Sequence, residues 1–208
     1  MTEFDPPNRD VRPVEGADAS RTFFGVIAGT VLIAAAAVGA SFIFQTPLPP
    51  LLAFSFRDFA IGVAATVPLT VFLIWFMRTQ SPAFAAFRES QIAFFAGIGF
   101  EFTWPRILLM ALAAGVCEEL MFRGVLQSVA DRFAPTIIAI IVTNILFGLL
   151  HWRTALYALI AGVVGAYLGV LFWLTGALIA PIATHALYDL FALHLTRQAI
   201  HDYRRRDN

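Results

Sequence analysis

The sequence predicts an all-α, polytopic integral membrane protein, a helical bundle of about six transmembrane helices. Three observations carry this. Of its 208 residues 59% are hydrophobic and 13% charged, with mean hydropathy +0.77, whereas a soluble domain is ~45–50% apolar and ~25% charged. Phe23 to Phe44 holds no charged residue, and at ~1.5 Å per residue it crosses the ~30 Å hydrocarbon layer. Further long apolar runs follow without two-residue alternation, which excludes a closed barrel. The composition also excludes a disordered chain and disfavours a soluble globular domain.

The first span, Phe23–Phe44, reads as retained. It is longer than a signal-peptide core, acidic as well as basic residues precede it, and no small-residue cleavage motif leads into a soluble chain. The connector Thr46-Pro47-Leu48-Pro49-Pro50 cannot propagate a helix. A second span runs Phe59–Met77. Between Pro82 and Trp104, Arg88, Glu89, Gln91 and Glu101 interrupt Phe84, Phe87, Phe94, Phe95, Phe100 and Phe102. That pattern predicts an interfacial helix, with a short seventh span as the alternative. Further spans are predicted at Ile107–Val125, Ala134–His151, Thr154–Leu174 and Gly176–Leu195. Asp131-Arg132 with Pro135 marks one turn and Gly176 another. The domain organisation is a polar tail over 1–22, one transmembrane domain over 23–195 with its chemistry in 106–195, and a basic tail over 196–208.

The net charge is zero and all 14 basic residues are Arg. No basic run is interleaved with aromatics, which removes nucleic acid from the partners. The single Cys117 excludes an intramolecular disulfide and a Cys–Cys metal knuckle. With the N-terminus inside, the spans assign Arg9, Arg12, Arg21, Arg78, Arg88, Arg106, Arg153, Arg197, Arg204, Arg205 and Arg206 to one side. Only Arg57, Arg123 and Arg132 fall on the other, so both termini are expected to be cytoplasmic. Gly25/Gly29 and Gly165/Gly169 are read as sites of close helix packing.

Polar groups inside the spans are the informative residues, because an ionisable side chain at the bilayer centre costs ~2.5–3.5 kcal/mol or more. Glu119 and Arg123 stand four apart on one helical face and are expected to pair, while Glu118 points ~100° away and finds no partner in its own helix. An unpaired carboxylate there suits a general base. Asn144, Phe147 and His151 form one stripe on the next span. His185 and Asp189 share a face of the last one, which Pro181 is expected to loosen. His194 and His201 fall outside this set, and Cys117 reads as packing.

Glu118-Glu119-Leu-Met-Phe-Arg123, Phe147-Gly-Leu-Leu-His151 and His185-Ala-Leu-Tyr-Asp189 resemble, in order, the E-E-x-x-x-R, F-x-x-x-H and H-x-x-x-N/D motifs of the CPBP family. These are intramembrane proteases named for CAAX proteases and bacteriocin-processing enzymes, and the likeness is to the Ras-converting CAAX endopeptidase type. The resemblance covers Ile107 to about Leu195. It implies an intramembrane endopeptidase acting on a membrane-associated protein or peptide, in a multi-pass protein of a bacterial plasma membrane.

Carried over residue by residue, Glu118 would activate water held by His151, and Glu119 and Arg123 would shape the cavity. His185 and Asp189 would stabilise the oxyanion or complete a metal site. Asp189 departs from the Asn of other members, since an ionised Asp only accepts hydrogen bonds. It could instead orient His185, bind a metal or stay protonated. Glu118, His151 and His185 are also the ligand types of a catalytic Zn²⁺ with an open position. The spacing lacks the H-E-x-x-H signature, and metal-independent water activation is the preferred reading. The competing classes are a non-catalytic scaffold or immunity protein on the same fold, which a degenerate motif would favour, and a proton-coupled carrier, which inverted repeats would favour.

For straight antiparallel spans meeting near Arg132, Glu118 faces about Leu146 and His151 lies ~7.5 Å closer to the cytoplasm. The expected cavity opens towards the termini, beneath Arg106 and Arg153.

Overall fold

The computed structural model describes residues 17–206, and all its regular elements there are helical. The first sixteen residues of the expected N-terminal tail lie outside the described part. Helix α1 spans Ala17–Ile43, α2 is a single turn at Leu48–Leu51, and α3 spans Phe56–Arg78. α4 (Pro82–Ala96) is the helix expected at the interface. A continuous rod then runs from Trp104 to Ala130: α5 (Trp104–Glu119), a π-helical segment (Leu120–Gln127) and the short α6 (Ser128–Ala130). α7 (Thr136–Leu150), α8 (Ala155–Thr175) and α9 (Ile179–Arg206) complete the chain.

Local chemistry sets several boundaries. Ser55 Oγ accepts the amide of Asp58 at 3.3 Å and caps α3, and Thr154 Oγ1 accepts that of Tyr157 at 3.1 Å and caps α8. α8 ends where Gly176 takes φ +67°, a left-handed conformation that glycine adopts without a Cβ clash. Two expectations need correction. The proline-rich connector forms the turn α2, because Pro49 and Pro50 fall in its first turn, where their missing amides would be unbonded anyway. Pro181 does not loosen the last helix, for it too sits in the first turn, and Ile182 N donates to Leu178 O at 2.9 Å.

Two apolar clusters mark the ends of the bundle. Ala19 and Phe23 of α1 pack with Ala96, Phe100, Phe102, Ile107 and Ile200 at the end that holds both termini of the described chain. Ala37, Leu48, Leu120, Val125, Phe172 and Leu178 form the other. α1 and α5 therefore run in the same direction and α9 returns against them. Because Ile200 is part of the first cluster, α9 continues as helix through the basic stretch to Arg206. At the opposite end Arg132 donates to the carbonyls of Phe44 and Gln45 at 2.6 and 2.8 Å, tying the α6–α7 turn to the end of α1.

The surface is inverted relative to a soluble protein. Leu32, Phe42, Val71, Ile141, Val142, Leu159 and Val163 point outward, while Glu119, Arg123 and Gln127 are fully buried. An apolar exterior of this extent is an interaction surface, and here it faces lipid. Asp18–Ile43, Phe56–Arg78 and Ala155–Thr175 are long and apolar enough to span a membrane, and Thr136–Leu150 is a shorter apolar helix. The rod from Trp104 and helix α9 are less apolar, because they carry the acidic, basic and imidazole side chains of the site.

The two glycine pairs differ. Gly25 and Gly29 face open space, so the expected packing is not made there. Gly165 and Gly169 are tightly packed, against polar side chains: a Cβ on Gly165 would stand 2.5 Å from Asn144 Oδ1, and one on Gly169 2.8 Å from Gln127 Oε1.

Candidate active site

Glu119, Arg123 and Gln127 recur every fourth residue through the π-helical segment and form a buried polar stripe. A π-helix bonds i to i+5 and widens its turn, a rare geometry frequent at functional sites. Arg123 Nη1 donates to Glu119 Oε1 at 2.7 Å, the expected i,i+4 pair. Its Nη2 donates to Asn144 Oδ1 at 2.9 Å on α7 and to the carbonyl of Gly165 on α8. Gln127 Nε2 donates to Gly169 O at 3.0 Å, repeating the contact one turn on. Both glycines bring the α8 backbone within reach of these donors, and so the guanidinium is held from three helices.

Glu119 has a second partner that i,i+4 spacing does not reveal. His185 Nδ1–H donates to the same Oε1 at 2.7 Å. A carboxylate oxygen can only accept, so this bond fixes the proton on Nδ1 and leaves Nε2 as the working nitrogen. Asp189 Oδ2 stands 3.6 Å from Nε2, beyond hydrogen-bond range. His185 is therefore oriented by Glu119 on α5 rather than by the residue four positions along its own helix.

Glu118 faces away from this network, as the ~100° helical offset requires. Its Oε2 lies 3.9 Å from His151 Nε2. His151 ends α7, and its Nδ1–H donates to the Phe147 carbonyl at 2.8 Å, so Nε2 again faces the site. The Phe147 ring fills the space between the histidines, with centroids 4.4 Å from His151 and 6.4 Å from His185. It packs edge-on to Phe122 at 4.7 Å. Side-chain reach closes the ~7.5 Å axial offset expected for straight helices.

A cavity of 360 Å³ begins at Glu118 and Asp189 and runs towards the end that holds the termini. Its walls include Val26 and Thr30 of α1, Phe72 and Phe76 of α3, Gln91 and Ile92 of α4, Met110 of α5, and Leu193 of α9. Arg153 stands beside it, hydrogen-bonded to Gln91 with its guanidinium 3.6 Å from the Phe94 ring centroid. Arg106 lies at the same end, over the rings of Phe23 and Phe100. His194 stacks on Trp104 at 4.8 Å, and neither it nor His201 lines this cavity.

Among the described residues no three His, Cys, Asp or Glu side chains are grouped so as to hold a metal ion. Of the expected Glu118, His151 and His185 set, Glu118 and His151 stand 3.9 Å apart and His185 is held by Glu119. Sequence reasoning left Tyr157, Tyr188 and Gln127 out of the site, since hydroxyls and an amide in apolar spans carry no motif of their own. It noted Asn144 only as part of a stripe.

No curated protein and no solved structure matches the chain. Helices α1 to α4 lie before the stretch that matches a family model. Residues 100–191, the stretch that holds every motif side chain of this site, match the family model of the Rce1-like type II CAAX prenyl endopeptidases, consistent with the CPBP resemblance that the three motifs carry.

Proposed function

We propose that the protein is an intramembrane endopeptidase that hydrolyses a peptide bond of a membrane-associated polypeptide, with water activated by Glu118 and His151. The observation that carries this reading is the pair of acceptors formed by Glu118, which lines the cavity, and His151 beside it. Glu118 Oε2 and His151 Nε2 are 3.9 Å apart, a separation that one water donating a hydrogen to each would bridge. Its lone pair then points at a substrate carbonyl. Glu118 takes one water proton as the C–O bond forms, and the carbonyl π pair moves onto oxygen. His185, protonated at both nitrogens and held by Glu119, donates Nε2–H to that oxyanion. On collapse the C–N bond breaks and Glu118 returns its proton to the leaving amine.

The apolar cavity walls suit an apolar or lipidated flank beside the scissile bond, and both termini are assigned to the cytoplasmic side of a bacterial plasma membrane. No motif position is degenerate, as a scaffold or immunity protein would allow, and no inverted repeat supports a carrier.

The test is cleavage of fluorescence-quenched peptides in liposomes, one set with a single membrane span and one with a prenylated C-terminus. Wild-type protein cleaves at least one set. Glu118→Gln keeps the side-chain volume and removes the base, so turnover is lost while thermal stability stays near wild type. Undiminished cleavage by Glu118→Gln overturns the role assigned to Glu118.

A further inference from the structure

The mechanism above provides the oxyanion with one donor, His185 Nε2–H, and the neighbouring Asp189 carboxylate, when ionised, can only accept. We infer that the hydroxyl of Tyr157 supplies a second oxyanion donor, making Tyr157 a catalytic residue of the same site; this rests on the peptidase reading.

Four observations converge on Tyr157. It lines the cavity that Glu118 and Asp189 head. Its hydroxyl has no hydrogen-bond partner among the described residues, whereas that of Tyr167 donates to Ala65 O at 2.9 Å. The residue has neighbours on several sides. It sits in the first turn of α8 with its amide on the Thr154 cap, the Arg153 guanidinium lies 5.0 Å from its ring centroid, and the His151 ring is 6.4 Å away. Finally, it lies within electrostatic reach of both Asp189 and Glu118.

Tyr188, the other phenol in the cavity, makes no ring contact with His151 or His185 among the described residues. A phenol donates a hydrogen bond without giving up its proton, so the covalent steps and their proton balance are unchanged.

Tyr157→Phe keeps the aromatic wall and removes only the donor. Measured on the peptide that wild type cleaves in liposomes, it should lower kcat about 100- to 1000-fold, the range for losing one oxyanion donor, with KM and thermal stability near wild type. Adding Asp189→Asn places an amide donor beside the lost hydroxyl and should restore kcat at least about tenfold. A wild-type kcat for Tyr157→Phe, a change confined to KM, or a loss that follows Tyr188→Phe instead overturns the assignment. If wild type cleaves and Glu118→Gln does not, such a result removes Tyr157 alone. If wild-type protein cleaves none of the peptides, the peptidase reading and this inference both fall.

Discussion

Adjacent glutamates, Glu118 and Glu119, carry opposite assignments because a helix turns ~100° between them. Glu119 Oε1 is shared by Arg123 and His185, both at 2.7 Å and in a buried setting, while Glu118 makes no hydrogen bond among the described residues and stands 3.9 Å from His151. Truncating one partner of a buried ion pair leaves an uncompensated charge and costs ~3–5 kcal/mol. Glu119→Ala should therefore lower the midpoint of thermal unfolding in detergent and reduce activity, since His185 also loses its anchor. Glu118→Gln should leave that midpoint in place. Equal stability of Glu119→Ala and wild type would remove the shared-oxygen arrangement from the account. The division was half legible in the sequence: i,i+4 spacing gave the Arg123 partner, but His185 lies 66 positions away and no spacing rule reaches that far.

At the scale of elements, α8 contributes backbone as much as side chains. The carbonyls of Gly165 and Gly169 accept from Arg123 and Gln127 because neither residue carries a Cβ. In Gly165→Ala the new methyl would lie 2.5 Å from Asn144 Oδ1 and 3.2 Å from Arg123 Nη2. Overpacking of this kind typically costs ~1–3 kcal/mol. The variant should unfold at lower temperature and turn over more slowly, whereas Gly25→Ala, which meets open space, should match wild type on both measures. A neutral Gly165→Ala would mean that α8 does not press on the guanidinium. Sequence inspection treated the two glycine pairs alike, since Gly-x-x-x-Gly spacing reports that close packing is available and not whether a neighbour uses it.

For the whole molecule, the two apolar end clusters place the N-terminal part of α1 and the C-terminal part of α9 together. We propose, from the arginine distribution, that this end faces the cytoplasm. With buried Cys117 replaced by Ala, a cysteine at exposed Asp202 should react with an impermeant maleimide only when the cytoplasmic face is accessible. One at exposed Phe133 should react in intact cells. The reverse pattern inverts the topology and the cavity with it. Metal dependence is also read on the whole protein. Sub-stoichiometric zinc after purification, with cleavage that survives thorough chelation, is expected for the Glu118 and His151 water mechanism. Stoichiometric zinc whose removal abolishes cleavage would make the metal part of the site.

The sequence by itself determined the fold class, the order of the helices and which helices carry the candidate site residues. Hydrocarbon imposes long apolar runs, and every ionisable exception within them stands out against its surroundings. The helix α4 was legible between Pro82 and Trp104, where polar residues interrupt its aromatics. Tertiary structure alone decided the partners. The π-helical widening after Glu119, the choice of Glu119 over Asp189 to hold His185, and the convergence of α1, α3, α4, α5, α8 and α9 on one cavity depend on contacts between residues far apart in the chain. Local periodicity reports which face of a helix a residue occupies, while the neighbour that face meets is set by the packing of the whole bundle.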